Sequence, residues 1–264
     1  MQKIIQNKFI KNLIPFFTLV ERELIRTKRV IGQAVVSPMV TASLYIFVFG
    51  YILGSSIQNI AGVPYLSFVF PGIFAMNLIM AVFGATSFNV FFMRFGKTIE
   101  DFLTLPMSYF ELVLSMLVSG ILRGLMITLS LSFIAFIFGV NSIVHPFILL
   151  FYVVFISIIF GLLGIILGLW ADNSFEKISG VTNFFLTPLS FLGGTFYTVK
   201  MLPEHLQFLV YFNPIFYAVD GIRYAFTGYH DTNIFYGLSI LGIIALICLF
   251  IVIRIFQTGW KLRN

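Results

Sequence analysis

The sequence predicts an all-α membrane protein with six transmembrane helices, on three observations. Six stretches of the 264-residue chain, uncharged except for one arginine, each run for about 20 residues or more, enough to cross roughly 30 Å of hydrocarbon at about 1.5 Å per residue. The chain is 59% hydrophobic and only 10% charged, with a mean hydropathy of +1.03, whereas soluble domains carry about 25% charged residues. Of the 16 Lys and Arg residues, thirteen fall on one side of the map these stretches draw. The positive-inside rule puts that side, and both termini, in the cytoplasm.

The elements follow in chain order. Residues 15–31 read PFFTLVERELIRTKRVI, with Phe17, Val20, Leu24 and Ile31 at helical spacing and Arg22, Arg26 and Arg29 along another face. This pattern predicts an amphipathic helix lying in the membrane surface, as a basic anchor, a contact for a cytoplasmic partner, or both. The first two crossings are Gly32–Leu53 and Leu66–Met93. Because the first apolar run starts only after a long charged lead and is itself span-length, no cleavable signal peptide is expected.

The connection Arg94–Pro106 predicts a short amphipathic helix. Phe95, Ile99 and Phe102 share one face, Arg94, Lys97, Glu100 and Asp101 carry both signs of charge elsewhere, and Pro106 stops the helix. Such a helix can transmit force from a soluble partner, or be a solvated loop helix. Gly96-Lys97-Thr98 imitates the end of a phosphate-binding loop, but the pattern needs a glycine where Phe91 stands and a preceding strand, so ATP binding here is rejected.

The third crossing, Leu112–Val140, is broken by Arg123, about 12 residues or roughly 18 Å along the helix from Glu111. An arginine at the bilayer centre costs about 2.5–3.5 kcal/mol on insertion scales. Arg123 therefore snorkels, lines a cavity where it meets a substrate headgroup, or finds an interhelical partner. The fourth crossing is Pro146–Leu169 and the fifth Ile178–Val199. Gly120 with Gly124 and Gly164 with Gly168 have the spacing that permits close helix approach, within one subunit as readily as between two.

Residues 193–228 predict a helical hairpin on the outer side. Pro203 opens one short helix; Asn213-Pro214 caps and starts a second, which Gly228 closes. Leu206–Val219 has no formal charge, yet its 14 residues are too few to span, which suits a re-entrant or interfacial segment. Asp220 and Arg223, three apart, are expected to pair. The sixth crossing is Thr232–Ile253; it contains Cys248, the only cysteine, which is read as a small buried side chain. Trp170 and Trp260 are expected at the cytoplasmic interface as aromatic anchors.

Several function classes lose support. The basic residues are dispersed flanks, not a compact basic and aromatic patch, which argues against nucleic-acid binding. His145, His205 and His230 all map to outer loops and no catalytic or metal-binding set is assigned. The acidic residues lie in termini, loops or at a helix edge, which weakens proton-coupled transport. Six crossings with short connections leave no room for a soluble domain, so any motor is expected on another chain.

The run Leu186-Thr-Pro-Leu-Ser-Phe-Leu-Gly-Gly-Thr-Phe-Tyr197, then Leu202-Pro203 and Asn213-Pro-Ile-Phe-Tyr-Ala-Val-Asp-Gly-Ile-Arg223, resembles the permease subunits of ABC-2 type transporters, particularly the bacterial YadH-like branch, and is also similar to nodulation-factor exporter permeases. Phe70-Pro71-Gly72, the Arg94–Pro106 segment and Arg123-Gly124 support the resemblance, which covers nearly the whole chain as one transmembrane domain, residues 1–264.

The resemblance implies an inner-membrane exporter permease that is not itself an enzyme. It implies two permease copies as a homodimer in the lipid bilayer and two copies of a separate ABC ATPase, which alone holds ATP and magnesium. It further implies a connecting helix at residues 15–31 and a coupling helix whose contacts with the ATPase include Arg94, Lys97, Thr98, Glu100, Asp101, Leu105 and Pro106. Crossings two and five would line a path past Asn77, Arg123, Phe185 and Leu189. An outer gate would comprise Gly193, Gly194, Pro203, Asn213, Pro214, Asp220 and Arg223. The aromatic excess is mostly Phe, 34 residues against two Trp, which favours an amphiphilic or lipid-linked cargo over a polysaccharide; an ATP-independent channel or carrier is the alternative of a different class.

Overall fold

Apolar runs of this length fold as helices because a backbone inside hydrocarbon has no water to satisfy its polar groups and must pair internally. The computed structural model describes residues 8–52, 54, 59, 60, 62–140, 143–172 and 174–262. In order these form α1 (Lys8–Arg29), α2 (Ile31–Tyr45) continued by a π-helical stretch (Ile46–Ile52), β1 (Asn59–Ile60), β2 (Val63–Pro64), α3 (Tyr65–Phe95), α4 (Ile99–Leu103), α5 (Tyr109–Ile137) and α6 (Pro146–Trp170). Then follow α7 (Phe175–Val181), a π-helical stretch (Thr182–Leu186), α8 (Thr187–Leu192), α9 (Glu204–Tyr211), α10 (Pro214–Thr227) and α11 (Ile234–Thr258). β1 and β2 form a small antiparallel ribbon pairing Asn59 with Pro64 and Ile60 with Val63.

Among the described residues, five helical segments are long and apolar enough to cross a membrane: Val35–Ile52, α3, α5, α6 and α11. This is an all-α membrane protein. The expected end of the first crossing, Leu53, lies outside the described residues. The expected fifth crossing is shifted. Its helix starts at Phe175 and ends at Leu192, not at Val199, because Gly193 and Gly194 turn the chain, Gly194 with φ of +74°. Eighteen helical residues reach roughly 27 Å.

α3 is the central post of the bundle, its middle buried by α5, α6 and α10. Small residues bring these helices close. A Cβ on Gly164 would strike Thr86 of α3, one on Gly124 would strike Ser157 of α6, and one on Gly168 would lie 2.6 Å from the Ser87 carbonyl oxygen. Both glycine pairs are thus used inside this chain. Gly72 likewise seats the backbone of Thr195, and Gly221 of α10 seats the ring of Tyr152.

The two ends of the bundle are each tied by loop contacts. At the basic end the Arg22 guanidinium lies over the Phe102 ring at 4.7 Å, while Lys261 donates to Asp172 at 2.9 Å and to the Trp170 carbonyl at 3.3 Å. The segments predicted to share one side therefore meet there. At the far end, the backbone N–H of His145 donates to the Ala225 carbonyl at 2.9 Å, and Phe68 packs near Tyr229.

Candidate functional site

At the basic end, α3 stops at Phe95 because Gly96 and Lys97 turn the chain, Lys97 with φ of 56°. The expected continuous amphipathic helix is therefore corrected. Only Ile99–Leu103 are α-helical, and Phe95, as the last residue of α3, is exposed, while Ile99 and Phe102 are buried. Lys97, Glu100, Asp101 and Pro106 are exposed; Thr98 and Leu105 are half-buried, with the Thr98 hydroxyl donating to the Met93 carbonyl. Ser108 then starts α5 with a reciprocal capping box to Glu111. α4 is thus a short charged step, anchored by two side chains and held between two long helices.

Arg94 does not belong to the exposed set. It is buried, donates to the Leu169 carbonyl at 2.6 Å, and lies 3.9 Å from Asp172, so it ties the end of α3 to the end of α6. Its position at the last turn of α3 points it at the neighbouring helix terminus. Asp172 also takes Lys177 at 3.2 Å. The hydrogen bond from Lys261, reinforced by Lys177, holds the Asp172 carboxyl below the usual carboxylate range.

α1 lies against α5 through Leu19, Glu23 and Thr27, which are buried, while Phe17, Leu24 and Ile31 remain exposed. Glu23 binds Arg26 at 3.0 Å and accepts from Asn89 of α3 at 3.3 Å. Next to this contact is a cavity of about 700 Å³ between α2, α3 and α5, lined by Asn77, Met80, Phe88, Phe92 and Arg123 among others. A second, of about 270 Å³, shares Phe88, Phe92 and Arg123 and adds Arg26, Asn89 and Ser119. The structure thus brings Asn77 and Arg123 together. Phe185 and Leu189 do not line these cavities and are exposed on the π-helical stretch and α8.

The far end holds a buried polar cluster around Arg223. Its guanidinium sits 4.0 Å from the Phe68 ring centroid, donates to the Gly194 carbonyl, and lies 3.6 Å from Asp231. The expected Asp220–Arg223 ion pair is corrected: among the described residues Arg223 is bridged to Asp231. Asp220 instead accepts from the backbone of Asp231 and Thr232 and from the Thr232 hydroxyl, at 2.7, 3.0 and 2.8 Å, so its oxygens are engaged by the turn before α11. Tyr229 donates to Asp231 at 2.8 Å; burial and this bond push its hydroxyl up, keeping it a donor.

Asn213 caps α10 by accepting from the Ile215 N–H, with Pro214 in the first turn and Gly228 closing the helix at φ of 75°. It also donates to the Leu189 carbonyl at 2.6 Å, tying the start of α10 to α8. Gly193, Gly194, Asn213, Pro214, Asp220 and Arg223 thus belong to one connected region, while Pro203 stands apart and exposed before α9. Sequence spacing missed Asp231, Asp172 and Lys261 as partners, each of which acts over a loop or a helix packing that no local periodicity encodes.

Comparison with known proteins agrees with this architecture. The chain is 31% identical over 244 residues to the inner membrane transport permease YadH of Escherichia coli K12, covering 92% of this chain and 94% of that protein. It is 24% identical over 213 residues to nodulation protein J of Sinorhizobium fredii, covering 80% and 81%, and 23% identical over 261 residues to nodulation protein J of Neorhizobium galegae, covering 96% and 94%. The ABC-2 type transporter family matches residues 15–227. With a helical membrane bundle, a charged step between its second and third long helices, and a match over most of its length, the chain belongs to the ABC-2 type transporter family of permeases.

Proposed function

We propose that this chain is the membrane subunit of an ATP-driven exporter of the inner membrane, with both termini in the cytoplasm and no ATPase site of its own. α4 is the observation that carries the reading. Lys97, Glu100 and Asp101 stand exposed at the basic end, while Ile99 and Phe102 are rooted in the bundle and Arg22 of α1 rests on Phe102. A push on α4 is therefore delivered to α3, α5 and α1 together, which is what a coupling element must do.

Two copies of the chain would form the pathway, each taking six crossings, with the helix from Phe175 to Leu192 as the fifth and α9–α10 as a re-entrant pair at the outer side. Two ATPase subunits would dock on the α4 segments. ATP would bind more tightly to the closed ATPase pair, and that difference in affinity is what shifts an inward-open permease toward outward release. An amphiphilic or lipid-linked cargo fits the Phe-rich composition. The coupling role is tested by Glu100→Arg with Asp101→Arg. Association with the ATPase and transport are expected to be lost while elution and melting of the permease stay unchanged; retained association and transport would refute it.

A further inference from the structure

We infer that the cavity beneath Arg123 is an anion site that takes the phosphate or carboxylate headgroup of an amphiphile, an inference that rests on the permease reading above for its role in transport. Arg123 stands near the middle of α5 and lines both adjoining cavities. Arg26 of α1 lines the smaller one with it. Glu23, which pairs with Arg26, lines neither cavity and is already engaged by Arg26 at 3.0 Å and by the Asn89 amide at 3.3 Å. Arg123 has no carboxylate or hydrogen-bond partner among the described residues, and its Nε is buried without one. The Oδ1 of Asn89 is also buried and unpartnered.

An interhelical ion pair therefore does not explain the charge. Two guanidiniums line the smaller cavity, no carboxylate does, and Glu23 beside it pairs with Arg26 alone, so a single negative charge completes the balance. A guanidinium presents a planar fork that matches a phosphate or carboxylate. Beside the polar Ser37, Thr41, Tyr45 and Asn77, the larger cavity carries an apolar stretch of wall from Met76, Met80, Phe88 and Phe92, which suits an alkyl chain attached to that anion. The cavity has the two chemistries of an amphiphile side by side.

The test is equilibrium binding of radiolabelled dodecyl phosphate to the full chain in phosphatidylcholine nanodiscs, with inorganic phosphate and dodecyltrimethylammonium as competitors. Dodecyl phosphate is expected to bind, with affinity at least tenfold lower in Arg123→Ala. Inorganic phosphate is expected to compete at least tenfold more weakly than unlabelled dodecyl phosphate, which makes the anion a lipid-like headgroup; equal competition would assign the site to a free solute anion and overturn the amphiphile. Competition by the cationic dodecyl compound as strong as by dodecyl phosphate, or unchanged affinity in Arg123→Ala, would overturn the anion site.

If Arg123→Ala does not elute as the parent does, Arg123→Lys and Arg26→Gln carry the test: at least one loses threefold or more, and unchanged affinity in both overturns the site. Because binding is read without any ATPase, the two readings fail separately. Arg123-dependent binding in a chain that recruits no ATPase would keep the site and refute the permease reading; an ATP-hydrolysing complex without such binding would do the reverse.

Discussion

Arg223 is fully buried, and its neutralising carboxylate lies eight positions downstream in another element's approach loop. Removing one partner of a buried pair leaves an uncompensated charge, which costs about 3–5 kcal/mol, whereas replacing both by apolar groups is often neutral or better. Asp231→Asn is therefore expected to lower the melting temperature in detergent strongly, and Arg223→Met with Asp231→Leu to recover much of the loss; a single variant that melts like the parent would contradict the pairing. Sequence spacing identified Arg223 and Asp220 as important but paired them with each other. Three residues along a helix do bring side chains to one face, yet the turn at Asp231 and Thr232 supplies Asp220 with three donors, and Arg223 is drawn to Phe68 and Gly194 instead. A close local neighbour lost to partners that only the packed loops bring near.

The long helices were readable from hydrophobic run length, and the caps at Asn213, Pro214 and Gly228 from residue type, because each is a local property of the backbone. The Arg94–Pro106 step was legible as charged and amphipathic but not in its break: Gly96 and a left-handed Lys97 separate Phe95 from Ile99, so equal helical spacing does not mean one face. Arg94, which the resemblance implies as a contact with the ATPase, is buried in a staple with Asp172, Lys177 and Lys261 that fastens the ends of α3, α6 and α11. The Asp172 carboxyl is held below its ordinary range by Lys261 and Lys177. Its contribution to stability is thus fully present above the unfolded carboxylate value, about pH 3.9, and is lost as pH falls through the lower folded value. The parent's melting temperature should fall more steeply than that of Asp172→Asn on acidification below about pH 4; parallel curves would show that the staple contributes nothing.

At the scale of the molecule, one bundle links a charged step at the basic end, a cavity at mid-height around Arg123 and Asn77, and a buried ion cluster at the far end, all packed on α3. The large apolar surfaces left open on α2 and its π-helical continuation, α8 and α11, such as Val40, Phe47, Leu192, Leu246 and Phe250, are what a chain surrounded by lipid would carry. In the function proposed above, the work comes from a partner acting on α4. The most direct measurement is therefore to purify the tagged chain from native membranes in mild detergent, identify what co-elutes, and assay the complex for ATP hydrolysis. A stoichiometric ABC ATPase with vanadate-sensitive activity is expected, lost on Glu100→Arg with Asp101→Arg; a stable chain that transports cargo with no ATPase bound would contradict the coupling role of α4.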